Sequence, residues 1–206
     1  MAEQFADLLT REATVRGLIG PREVPRLWER HILNCAVITE LMPEGSSVCD
    51  IGSGAGLPGI ALAIRRPDLR VTLVEPLLRR TTFLDLATST MELTNVSVHR
   101  GRAEELHGEA VFDVVTSRAV APMDRLTRWS MPLVKAGGLF LAMKGASAER
   151  ELDSAVREVR RLGGSDQRVV TVGAEWLTTP VTVVQVRKTG TVERSGQSDG
   201  RPGGNR

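Results

Sequence analysis

A chain of 206 residues, 41% of them hydrophobic and 25% charged, can bury a sizeable core as one domain. Two cysteines, Cys35 and Cys49, are too few for a disulfide framework or, alone, for a tetrahedral zinc site. The acidic start MAEQFADLLTREA is unlike a signal peptide, no apolar run has the length of a membrane span, and a net charge of +2 is too mild to mark a nucleic-acid binder. A soluble, cytoplasmic protein without metal or membrane attachment is expected, and a monomer.

The cations are 24 arginines and only three lysines. Codon bias explains such a ratio, but the planar arginine fork also suits phosphate and guanine. Individual positions must decide. Residues 5–16 and 25–42 read as helices; in the second, Trp28, Ile32, Cys35, Ile38 and Met42 recur at spacings of three and four and predict one apolar face. Beyond Pro43, short apolar segments follow at Val48–Ile51, Val71–Glu75, Val96–His99, Phe112–Thr116, Leu139–Met143, Val169–Val172 and Val181–Val186. Most gaps between them are long enough for a helix. One such helix places Leu152, Val156, Val159 and Leu162 on a single face, and Gly163-Gly164 stop it.

This alternation predicts an α/β fold built on a parallel sheet with helices on both faces. Only Gly173–Pro180 separates the last two strands, too little for a helical crossover, so the final strand is expected to run antiparallel. The expected organisation is one domain over residues 1–188. It comprises a helical extension over 1–43, a Rossmann-like core over 44–188, and a disordered tail over 189–206 that has little to bury.

The strongest motif is Val48-Cys49-Asp50-Ile51-Gly52-Ser53-Gly54-Ala55-Gly56-Leu57-Pro58-Gly59, a strand entering a glycine-rich turn with Pro58 placed to open a helix. Glycines admit a ligand close to the backbone, and a helix start adds N–H donors. Glu75 ends the next strand, where an acid can accept the ribose hydroxyls of an adenosine cofactor. Read from Gly54, the loop matches G-x-G-x-x-G, so a nicotinamide cofactor stays open. Read from Asp50 it is D-x-G-x-G-x-G, which suits S-adenosylmethionine, and the chain has no room for a dehydrogenase's second domain. S-adenosylmethionine is the favoured cofactor. A turn made of glycine for structural reasons alone is the bland alternative.

DIGSGAGLPGIALA at 50–63, GRAEE at 101–105, SRAV at 117–120, MKG at 143–145 and LWERHILN at 27–34 together resemble the RsmG (GidB) family. Its members are methyltransferases that modify N7 of a guanine in bacterial small-subunit (16S) ribosomal RNA. The likeness covers residues 20–145 well and 146–187 loosely. Asn34-Cys35 departs from the Asp-Ser expected in many members. The resemblance implies cofactor contacts at Gly52, Leu57, Ala103, Glu104 and Arg118, beside Asp50, Gly54, Gly56 and Glu75 from the loop reading. Leu57 could equally be a core leucine, and Glu104 a solvated helix start. The resemblance also implies 16S ribosomal RNA, or the small ribosomal subunit, as partner.

Guanine N7 carries a free lone pair, so a general base is optional. Carbon methylation of a pyrimidine calls for a cysteine nucleophile at the site mouth. Cys35 and Cys49 lie on a helix and inside a strand. Exocyclic-amine methylation calls for an Asn/Asp-Pro-Pro-aromatic loop, where this chain has Ser117-Arg118-Ala119-Val120. Arg79, Arg80, Arg100, Arg102, Arg118 and Lys144 fall on loops that open at one sheet edge, a footprint for phosphates that net charge conceals. Charge balance with neighbouring acids is the bland alternative. Arg118 and Lys144 are the candidates for positioning the base. His31 could orient the acceptor, although a lone helical histidine is more often a satisfied structural residue. The competing functions are a small-molecule methyltransferase, an NAD-dependent reductase and a non-catalytic RNA-binding module.

Overall fold

The computed structural model describes residues 1–118 and 121–189. Its seven strands are β1 (Ser47–Ile51), β2 (Arg70–Val74), β3 (Val96–His99), β4 (Phe112–Arg118), β5 (Val134–Lys144), β6 (Gly164–Val172) and β7 (Val181–Lys188). They form one sheet in the order β3-β2-β1-β4-β5-β7-β6. The first five run parallel, and β7 is antiparallel to both of its neighbours, β5 and β6. The short link after β6 admits nothing but a reversal, so β7 turns back and inserts between β5 and β6.

Side chains alternate along the strands into two cores. Val48, Val114, Leu141 and Val183 point to one face, where they meet Phe5, Leu9, Ile38, Ile60 and Phe83. That layer consists of α1 (Ala2–Leu8), the helical segments around α2 (Asn34–Ala36), α3 (Gly59–Arg65) and α4 (Leu78–Thr90). Cys49, Val115, Phe140 and Val184 point to the other face and pack on α5 (Met123–Ser130) and α6 (Ala148–Arg161). Both faces are covered, which is why the central strands read as near-continuous apolar runs.

Three local expectations need correction. The segment expected as one helix over 25–42 begins as a 3₁₀ turn at Pro21–Arg26, widens to a π-helix over Leu27–Leu33 and ends as a 3₁₀ turn at Val37–Leu41. The wider turn moves the inward position by one residue. Leu27 is buried and Trp28 is 43% exposed, while Ile32, Cys35, Ile38 and Met42 keep the expected face. On α6, Ala155 is fully buried where Val156 was expected, because Ala148, Leu152, Ala155 and Val159 make the core stripe. Strand β6 starts at Gly164, five residues earlier than its apolar signal. It is an edge strand, so polar residues flank solvent, and a register shift between Ser165 and Arg168 breaks the alternation. The tail expected over 189–206 lies outside the described residues except for Thr189, whose N–H and Oγ1 both donate to the Gly163 carbonyl at 2.8 Å.

Candidate active site

The C-terminal ends of β1, β2 and β4 form the edge on which the glycine loop sits. The N–H groups of Gly52 and Ser53 donate to the Val74 carbonyl at 2.8 and 3.2 Å, which ties the loop to β2. The Gly54 N–H donates to Glu75 Oε2 at 3.1 Å. Gly54 has φ +56° and Gly56 φ +84°, left-handed values that disfavour any side chain. The two differ in their surroundings. A Cβ on Gly56 would run into Ile60, whereas one on Gly54 would meet only the Gly52 carbonyl, at 3.8 Å. Gly54 therefore faces open space, and a Cβ there would fill it.

Glu75 is 1% exposed, and its carboxylate also accepts the Leu77 N–H at 3.1 Å and Arg80 Nη1 at 3.3 Å. Two backbone amides thus fix a buried carboxylate beside an open loop, as a ribose diol requires. Asp50 lies behind the loop, fully buried; its Oδ2 accepts the Gly59 N–H at 2.9 Å and its Oδ1 has no partner. The donor set fits an adenosine cofactor. Leu57 packs within the core cluster, Ala103 is buried at the start of a 3₁₀ turn, and Glu104 is exposed beside it.

Burial lifts the Asp50 carboxyl to about 7, against the lowering effect of the Gly59 and Ser53 hydrogen bonds. Its folded value therefore lies above its unfolded one, and between these values the folded chain holds more protons. Stability falls as pH rises across that window. Relative to Asp50→Asn, the native chain should lose about 4 kcal/mol between pH ~4 and ~8. Denaturant unfolding of both chains at four pH values checks this; parallel curves would mean that Asp50 titrates alike folded and unfolded.

Arg118 ends β4. Register pairs Asp50 with Thr116, so Arg118, two residues on, lies at the edge where β1 gives way to the glycine turn. Its Nη2 donates to His31 Nδ1 at 2.6 Å and more weakly to the Arg30 carbonyl at 3.4 Å; Nη1 approaches Cys35 Sγ at 3.4 Å. His31 Nε2 in turn meets Glu23 Oε2 at 2.8 Å. A cleft of about 920 Å³ opens at this edge, lined by Arg118, Arg30, Asn34, Met143, Lys144 and Pro180, among others. Sequence reasoning had not placed Arg30, Glu23 or Pro180 here. The N-terminal segment and the link before β7 reach the cleft through tertiary packing, which neither periodicity nor spacing encodes.

The expected cation footprint divides. Arg79, Arg100 and Arg102 are exposed. Arg80 pairs with Glu75, and Lys144, with only 7% of its side chain exposed, pairs with Glu151 Oε2 at 2.7 Å and donates to the Ala121 carbonyl at 2.8 Å. Lys144 thus lines the cleft as half of an ion pair and not as a free charge. Burial raises both thiols, Cys35 to about 11 and Cys49 further, so neither offers a thiolate. Among the described residues no cluster of metal-ligating side chains occurs, and no helix is long and apolar enough to cross a membrane.

The family model for GidB, rRNA small subunit methyltransferase G, matches residues 1–179. The chain belongs to the GidB family. A Corynebacterium glutamicum (strain R) relative is 54% identical over 187 residues, covering 89% of this chain and 84% of its own. One from Thermobifida fusca is 51% identical over 209 residues, covering 99% and 88%. Both are named ribosomal RNA small subunit methyltransferase G. Among solved structures, precorrin-6y C5,15-methyltransferase from Geobacter metallireducens superposes with TM-score 0.55 at 17% identity, covering 84% of this chain and 91% of that one. M. jannaschii TYW2 in complex with AdoMet gives 0.59 at 18%, covering 76% and 72%. At such identities these two speak for the fold alone, which is the Rossmann-like fold of S-adenosylmethionine-dependent methyltransferases. Family membership decides between the two readings of the glycine loop. This GidB-family chain is a methyltransferase, and its cofactor is S-adenosylmethionine.

Proposed function

We propose that this chain methylates N7 of a guanine in bacterial 16S ribosomal RNA, with the cofactor held at the glycine loop and the base seated in the 920 Å³ cleft beside it. The observation that carries this reading is the placement of Arg118, which borders the loop on one side and lines the cleft on the other. Gly52, Gly54 and Gly56 shape the cradle, Asp50 braces it through Gly59, Glu75 holds the ribose, and Leu57, Ala103 and Glu104 border the adenine. The cofactor supplies an electrophilic methyl group, and guanine N7 has a lone pair ready to accept it. The protein's task is therefore placement and exclusion of water, which in well-oriented reactions supplies about 7–11 kcal/mol. Arg118 would donate to guanine O6 or a neighbouring phosphate, leaving N7 free. A base stacked in RNA must be extruded to reach the cleft. Lys144, held by Glu151, shapes the cleft wall beneath it.

The test is transfer of labelled methyl from S-adenosylmethionine to small subunits, and to naked 16S RNA, from cells lacking this enzyme. Cleavage selective for 7-methylguanine should then give a single position in the RNA. Methyl transfer to small molecules with none to RNA would overturn the acceptor assignment.

A further inference from the structure

Arg118 differs from its neighbours in how it is held. Arg80 and Lys144 meet carboxylates, which cancel their charge. Among the described residues no carboxylate forms a salt bridge with Arg118; its closest partner is the imidazole of His31, at 2.6 Å. A guanidinium has donors only, so Nδ1 must offer a lone pair and His31 must be neutral with its proton on Nε2. That proton points to Glu23 Oε2, 2.8 Å away. The second Glu23 oxygen lies 3.9 Å from Arg30, the other arginine of the cleft wall. The chain Glu23–His31–Arg118 therefore fixes a tautomer at one end and a cation at the other, without neutralising the cation.

Resting on the acceptor reading above, we propose that Glu23 and His31 form a positioning relay that aims a fully charged Arg118 into the cleft, and that protonation of His31 releases it. Protonated His31 carries a donor on Nδ1 and faces the guanidinium as a second cation. The groups around the ring are Glu23 from the Pro21–Arg26 turn, Arg118 from β4, and Arg30 on its own helical segment, with the Cys35 thiol neutral nearby. Burial, with Arg118 and Arg30, lowers the His31 pKa from its ordinary value, and Glu23 opposes them. The neutral form therefore prevails near neutrality and is lost on acidification.

Two readouts test the relay together. Nitrogen-15 histidine spectra of the protein alone should show His31 as the Nε2–H tautomer, titrating below the ordinary histidine value. Single-turnover methyl transfer to small subunits should fall on the acid side with the same midpoint. Glu23→Gln removes a charge that favours imidazolium, so both midpoints should move to lower pH, a shift that mere loosening would not produce. His31→Asn places a non-titrating carbonyl oxygen near the Nδ1 position, so the transfer it retains should lose the acid limb. His31→Leu should lower the transfer rate about 30-fold (~2 kcal/mol) with S-adenosylmethionine affinity unchanged. An Nδ1–H tautomer, or an acid limb in His31→Asn matching that of the native chain, overturns the relay. If the native chain shows the Nε2–H tautomer but transfers no methyl to RNA, the acceptor reading fails first, and the relay loses its role with it.

Discussion

Replacing Gly54 by valine should abolish S-adenosylmethionine binding while leaving the fold intact. The two effects separate because Gly54 has an open side. Its positive φ costs a side chain about 1–2 kcal/mol, equivalent to a drop in Tm of roughly 2–8 °C for a chain of this size. The added methyl groups would project into the space where the cofactor must approach the backbone, since only the Gly52 carbonyl lies within 4 Å of a Cβ there. A loss of affinity beyond ~100-fold, about 2.7 kcal/mol, is expected by titration calorimetry. Gly56→Val is the contrasting variant. Its side chain would collide with Ile60 at the start of α3, so Tm should fall further and any loss of binding would follow from misfolding of the loop. A Gly54→Val chain that melts normally and binds the cofactor with native affinity would place the ligand elsewhere.

The parts legible in the sequence are those decided by neighbours along the chain. β1, the glycine turn and the acid ending β2 are each local, and the reversal of β7 follows from the eight residues of Gly173–Pro180. The parts that stayed hidden depend on contacts between distant segments. His31 and Arg118 are 87 positions apart, so no periodicity links them, and the helix that carries His31 reads as an ordinary amphipathic stretch. Its π-helical winding, which exposes Trp28 and buries Leu27, is imposed by packing against the sheet. Lys144 illustrates a different blind spot. It sits on the expected edge, but Glu151, seven residues on, turns back over the loop to neutralise it.

These pairings change what the positive edge can do. Of the six cations counted from the loops, the two paired with carboxylates contribute little field, while the neutral acceptor on Arg118 leaves its charge intact. Arg30, 56% exposed and only 3.9 Å from a Glu23 oxygen, joins it from the N-terminal segment, together with Arg79 at the start of α4 and Arg100 and Arg102 after β3. On the acceptor reading proposed above, an RNA approaching this edge would meet charge from the N-terminal segment as well as from the sheet edge. On that reading the N-terminal segment would serve the site as well as the core.

Glu75→Gln should weaken S-adenosylmethionine binding by about 100-fold, although the two side chains have nearly the same shape. The native carboxylate presents an acceptor to each of two backbone donors, Oε2 to the Gly54 N–H and Oε1 to the Leu77 N–H. An amide has only one acceptor oxygen. Whichever way it is turned, its NH₂ group faces a backbone N–H, in a place where Glu75 is 1% exposed and water cannot compensate. An unsatisfied buried donor costs about 1–3 kcal/mol, and the loop can relieve it only by moving Gly54 away from β2. The variant also forfeits one charge-assisted acceptor for the ribose, itself worth about 1.5–3 kcal/mol. Both losses fall on the bound state or on the loop that forms it, so the change should appear in the dissociation constant more than in the melting temperature. Calorimetric titration of both chains at equal pH measures it. If the glutamine variant keeps an affinity within about threefold of native, Glu75 braces the loop without touching the ligand, and the ribose must be held by another group.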